Sequence, residues 1–123
     1  EQDMADLGAF YASQVGAPAP DAPRAASPAV AALIEKGACI SCHGANFSKP
    51  IDPSYPKIGG QHADYLFFAL KAYTVEGNDK IGRSNGIMAG IAKQYSPAEM
   101  RAIAKYLATV QGELQTVPQS RFR

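Results

Sequence analysis

The chain has 123 residues, a formal net charge of +1, 46% hydrophobic and 19% charged residues. That is the length of one small domain with an appendage, and neither the charge nor the composition suits a disordered segment or a nucleic-acid partner. No apolar run approaches the ~18 residues that a bilayer-spanning helix needs, and the two cysteines stand too close in sequence to staple distant segments.

Residues 1–14, EQDMADLGAFYASQ, are expected to form a short helix. Met4, Leu7 and Tyr11 recur at three and four residues, and Glu1 and Asp3 suit a helix start. No charged and apolar leader precedes Glu1, so an export signal is expected to have been removed or to lie outside this chain. Residues 15–27 carry prolines at 18, 20 and 23 among alanines and read as an extended linker. Ser27-Pro28 is a cap followed by proline at the first helical position; the helix it opens runs through AVAALIEK and stops near Gly37. Residues 44–60, with three prolines and three glycines, read as an irregular loop.

A further helix is expected in QHADYLFFALKAYTVEG, with Leu66, Leu70 and Tyr73 on one stripe, Tyr65, Phe68 and Ala72 widening it, and Gly77 closing it. Residues 77–90 hold four glycines and a methionine and read as lacking regular structure. The last helix has the clearest start: Ser96, Pro97 and Glu99 make a capping box, and Met100, Ile103, Ala104 and Leu107 face one way. The tail, 114–123, is polar and expected to fray. No segment reads as a strand. The chain also repeats itself: EQDMADLGAFYASQVG aligns with PAEMRAIAKYLATVQG, pairing Met4 with Met100, Leu7 with Ile103, Phe10 with Tyr106 and Ala12 with Ala108.

Both cysteines and one of the two histidines fall in a single run, Cys39-Ile40-Ser41-Cys42-His43. C-x-x-C-H is the attachment pattern of a c-type haem. Two thiols one helical turn apart reach the two vinyl groups as thioethers, and the adjacent imidazole is placed to bind the iron, with its other nitrogen held by a backbone carbonyl. Zinc is the first alternative, but a second ligand pair is missing, since only His62 remains. Thioredoxin-like chemistry would need a βαβ context, and a chance match is the third. A sixth ligand is expected from Met88, in the glycine-rich stretch GRSNGIMAG; Met4 and Met100 fall on apolar helix stripes. The alternatives are that Met88 merely packs there, or that His62 ligates instead.

With these pieces assembled, the chain resembles the class I c-type cytochromes, and in particular the second, C-terminal haem domain of the bacterial c4-type dihaem cytochromes. The likeness rests on CISCHG, PKIGGQ before YLFFALKAY, GRSNGIM and SPAEMRAIAKYLATV, in that order over residues 30–112. It implies an all-α, class I cytochrome c fold: three to four helices wrapped around one haem c, bound covalently through Cys39 and Cys42, plus an extra N-terminal helix. It also implies a periplasmic electron carrier with His43 and Met88 as iron ligands. By position, Pro56 would offer its carbonyl to His43, and Gln61 and Tyr65 would lie near the haem edge. Arg83 would pair with a haem propionate, and Asn85 would hydrogen-bond near the Met88 sulfur. The loop ANFSKPIDPSYP has fewer glycines than the family's usual loop.

The expected organisation is thus a helix at 1–14 resembling the end of a preceding cytochrome domain, a linker at 15–27, a monohaem domain at 28–113 and a tail at 114–123. An iron with both axial sites filled has no open position for a substrate, and a methionine ligand raises its potential. The expected function is therefore one-electron transfer between periplasmic redox partners, such as a quinol-oxidising complex and a terminal oxidase or reductase. Two other readings stay open: a domain relaying electrons inside a larger dehydrogenase or reductase, and a haem-based sensor or peroxidase with a labile Met88. Residues 1–14 are expected to meet an upstream haem domain or a second copy of the chain.

Overall fold

The computed structural model describes residues 1–14, 18, 23–78 and 80–113, and no strand occurs among them. Most of the predicted linker and the whole of the 114–123 tail lie outside the described residues. The described helices are α1 (Gln2–Ala12), α2 (Pro28–Lys36), α3 (Ile40–His43), α4 (Ala63–Ala72), α5 (Gly86–Ala92) and α6 (Pro97–Thr109).

The core is built where α6 crosses α4 and α2. Met100, Ile103, Ala104 and Leu107, the stripe read from the sequence, are all buried on α6. Each of the three larger side chains contributes about 1.5–3 kcal/mol by leaving water. They meet Ile34 of α2 and Leu66 and Phe67 of α4, with Phe47, Ala92, Tyr95 and Val110 completing the cluster. Both predicted caps form. The Ser27 hydroxyl accepts from Val30 N–H at 3.4 Å. Ser96 and Glu99 exchange side-chain to backbone bonds at 3.2 and 2.7 Å, satisfying two otherwise orphaned donors.

Two sequence expectations need correction. Residues 86–92 form the helix α5 rather than irregular chain, because Asn85 caps it: its side chain accepts from Met88 N–H at 3.0 Å. α4 ends earlier than expected; it tightens into i→i−3 turns through Val75, and Gly77 lies beyond them at φ 68°. Its buried face also differs, since Phe67 is buried while Phe68 and Tyr65 are exposed. The run Tyr65–Phe68 is apolar all round, so periodicity alone does not choose the face that meets α6.

α1 buries none of its residues: Met4, Leu7, Phe10 and Tyr11 all lie open. On α6 the counterparts Met100 and Ile103 are buried, and Tyr106 packs half-buried against the core. The chain between is tied to the domain from Arg24 onward, where the Arg24 carbonyl accepts from the Tyr106 hydroxyl at 2.8 Å.

Candidate haem attachment site

α2 delivers the chain into the cysteine run through a bend. Ala38 takes φ 48°, a strained value for a residue with a Cβ, and Cys39 N–H then bonds back to the Ile34 carbonyl at 3.2 Å. A single helical turn comes next, with Cys42 and His43 N–H both directed at the Cys39 carbonyl, at 3.4 and 3.0 Å. That turn brings Cys39 and Cys42 to one side of the backbone. Both are free thiols, half-buried. Burial pushes the Cys39 thiol pKa up, and the neighbouring Cys42 adds to this.

His43 is buried, and its Nδ1 lies 2.9 Å from the Pro56 carbonyl oxygen. A carbonyl only accepts, so Nδ1 is the protonated nitrogen and Nε2 carries the lone pair. The partner is held in place by its surroundings. Gly44 turns the chain at φ 78°, where an added Cβ would lie 2.0 Å from the Lys49 carbonyl oxygen. Asn46 Oδ1 accepts from Ser48 and Lys49 N–H at 3.0 and 2.9 Å. The Phe47 carbonyl takes Ile58 and Gly59 N–H at 2.8 and 2.9 Å, and Gly60 N–H reaches the Leu107 carbonyl of α6 at 2.9 Å. Pro56 is thereby fixed by bonds just past it.

Met88 sits half-buried one turn into α5. The Asn85 side chain accepts from the Met88 N–H at 3.0 Å, so it fixes the backbone that carries Met88. Arg83 N–H bonds the Ala72 carbonyl at 3.2 Å, and its guanidinium donates to the Tyr65 hydroxyl, also at 3.2 Å. Gln61 Oε1 accepts from His62 N–H at 2.8 Å; His62 is exposed at the N-terminus of α4. Among the described residues no three His, Cys, Asp or Glu side chains gather into a metal-holding group, and no helix is long and apolar enough to cross a membrane.

The residues fit a haem. The donor set is two free thiols on one helical turn beside an imidazole with a defined tautomer. Away from α1, large apolar side chains lie exposed at Ile51, Tyr65, Phe68, Ile81 and Ile87. They come from the His43–Pro56 loop, α4, the approach to α5 and α5 itself, and the protein core leaves them uncovered. A flat apolar macrocycle would cover apolar surface of this kind.

Sequence reasoning missed Tyr95, whose ring is buried and whose hydroxyl donates to the Leu33 carbonyl at 2.7 Å. Its signal was Gly37: any Cβ there would lie 2.2 Å from that hydroxyl oxygen. Lys36 reaches across the same junction, its Nζ donating to the Gln94 carbonyl at 2.7 Å and lying 5.0 Å from the Tyr95 ring centroid.

A family model described as Cytochrome c matches residues 28–111. Cytochrome c4 of Azotobacter vinelandii is 34% identical over 117 residues, a match covering 87% of this chain and 53% of that protein. Cytochrome c4 of Thiocapsa roseopersicina is 32% identical over 119 residues, covering 87% and 58%. A Thiomonas intermedia protein described as a thiosulfate dehydrogenase electron acceptor is 33% identical over 88 residues, covering 72% and 38%. The chain spans about half the length of the c4 relatives. Coverage of 87% is more than residues 28–123 can supply, so the c4 likeness reaches into the residues before Pro28.

Proposed function

We propose, for a chain that belongs to the cytochrome c family, that residues 28–113 carry single electrons through one haem c, attached by Cys39 and Cys42 and ligated by His43 and Met88. When bound, the haem supplies an iron that passes between its ferric and ferrous states. The observation that carries this reading is the 2.9 Å contact from His43 Nδ1 to the Pro56 carbonyl. It holds the imidazole in the tautomer that offers Nε2 as a donor, directly after the two thiols. Met88, a neutral thioether on a capped helix, is the second donor and favours the reduced state. With His43 and Met88 both given to the iron, the haem would supply electron transfer and leave no site for a small substrate.

The partners are redox proteins, proposed here as a quinol-oxidising complex on one side and a terminal oxidase or reductase on the other, in the periplasm. The Thiomonas relative's description supports a further donor class, a dehydrogenase passing electrons to the haem. Docking would use the apolar rim of the haem site over a small, transient contact, below ~1,200 Å² in total. Residues 1–14 are proposed to be the last helix of a preceding haem domain. Their repeat of α6, their fully exposed apolar stripe and the c4 likeness before Pro28 support this.

The test is spectroscopic. The reduced protein should not bind carbon monoxide, and the oxidised protein should show the long-wavelength methionine-to-iron charge-transfer band. Met88→Ala should remove the band and admit carbon monoxide, and Cys39→Ala with Cys42→Ala should let acid–solvent extraction strip the haem. Carbon monoxide binding to the unsubstituted protein, or a band sensitive to His62→Ala and indifferent to Met88→Ala, would overturn the ligand assignment.

A further inference from the structure

Residue 83 is tied to α4 twice. Its backbone N–H bonds the Ala72 carbonyl at 3.2 Å, and its guanidinium donates to the Tyr65 hydroxyl at 3.2 Å. The same guanidinium carbon lies 5.9 Å from the Tyr65 ring centroid and 5.5 Å from that of Tyr73. A planar, weakly hydrated cation between two ring faces is attracted to both, and lysine does not reproduce that geometry. Among the described residues no carboxylate pairs with it.

The tie falls inside a long connection whose other backbone bonds, among the described residues, are local: Tyr73, Thr74 and Val75 N–H return to the Leu70, Lys71 and Ala72 carbonyls, and Gly82 N–H to the Asn78 carbonyl. Residues 73–85 run from the end of α4 to the cap of α5, and they contain Gly77 and Gly82. A segment of this kind has many conformations to lose. Arg83 stands two residues before Asn85, which caps α5 through the Met88 N–H. A further tie, from Lys93 just past α5 to Glu76 in this connection, joins exposed side chains and contributes little.

We propose that Arg83 is a positioning residue for Met88: clamped between Tyr65 and Tyr73, it fixes where α5 begins against α4 and so keeps the Met88 side chain in place as the sixth ligand. This rests on the assignment of Met88 to the iron.

The experiment follows the charge-transfer band and the helical circular dichroism of the oxidised, haem-loaded protein through guanidinium titration. Arg83→Gln should lose the band at lower denaturant than the helix signal, with the opening constant raised about tenfold for two exposed cation–ring contacts. In a Tyr65→Leu, Tyr73→Leu background, Arg83→Gln should add almost nothing. Should that background fail to fold, Tyr65→Phe removes the 3.2 Å bond, keeps the ring and supplies the cycle. An equal effect of Arg83→Gln in both backgrounds overturns the clamp, and is what pairing with a haem propionate would give. Band and helix signals moving together overturn it as well. A band that survives Met88→Ala overturns the ligand assignment, whereas one that needs Met88 but shows no coupling overturns the clamp alone.

Discussion

Gly37→Ala should damage this domain although residue 37 lies at φ −90°, where alanine is unstrained. The new Cβ would meet Tyr95 Oη at 2.2 Å, and Cys39 Sγ and Ile91 Cγ2 at 3.3 Å each. The two latter contacts yield by a few tenths of an ångström, but the phenol oxygen must retreat by more than an ångström. Tyr95 is 7% exposed, so its ring has nowhere to swing, and its hydroxyl is committed to the Leu33 carbonyl at 2.7 Å. Breaking that bond in a buried place costs about 1–3 kcal/mol. Overpacking the junction of α2 with the segment before α6 costs about 1–3 kcal/mol more. The expected loss is therefore about 2–5 kcal/mol, a large share of the 5–15 kcal/mol or so that holds a typical domain. Guanidinium unfolding of the haem-loaded protein measures it. Tyr95→Phe removes the clashing oxygen, so the double variant should recover at least ~1 kcal/mol of the alanine penalty relative to additivity. A loss below ~0.5 kcal/mol, or strict additivity with Tyr95→Phe, would refute the steric reasoning.

Tyr95 also sets an alkaline limit. Burial raises its phenol pKa from 10.0 to about 12, so the unfolded chain releases this proton first and stability falls as pH rises through that window. Urea midpoints between pH 9 and 12 should fall less steeply for Tyr95→Phe. At the acid end, the Ser96 backbone N–H and hydroxyl hold the Glu99 carboxyl below its ordinary 4.5. Its contribution is present above that value and is lost as pH falls through the depressed one, so the destabilisation caused by Glu99→Gln should vanish in strong acid. Ser48→Ala should be neutral or stabilising in thermal melts, because the Ser48 hydroxyl is buried without a hydrogen-bond partner among the described residues. Deleting residues 1–22 keeps the Arg24–Tyr106 bond and removes a helix that buries nothing, so the melting temperature should stay within a degree or two. Sedimentation should show any self-association to be lost with it; a large drop in melting temperature would mean that α1 belongs to this domain.

The parts legible in the sequence were those set by local chemistry. Ser96-Pro97-x-Glu99 announces its own helix because cap and partner lie three residues apart, and the α6 stripe is a clean period against polar neighbours. The cysteine run declares its chemistry by spacing alone. α5 escaped because Gly86 and Gly90 read as loop, yet neither takes a positive φ and both fit the helical backbone. The informative residue was Asn85, three before Met88, a cap spacing like that of Ser96. The choice between Phe67 and Phe68 was set by the tertiary contact with α6, where Arg101 lies 4.2 Å from the Phe67 ring centroid. The Arg83–Tyr73 contact likewise spans a chain reversal that no local pattern encodes.

The seam between α2 and the chain leading into α6 also orders events in time. Tyr95 and Leu33 are 62 positions apart, and Lys36 and Gln94 are 58 apart, so the seam closes only after nearly the whole domain has been delivered. In the folded domain burial holds the Cys39 thiol pKa up, which leaves less of it as thiolate. The seam is thus a late, long-range closure, whereas the bonds that shape the cysteine run, from Cys39 N–H to the Ile34 carbonyl and from His43 N–H to the Cys39 carbonyl, are local and do not depend on it.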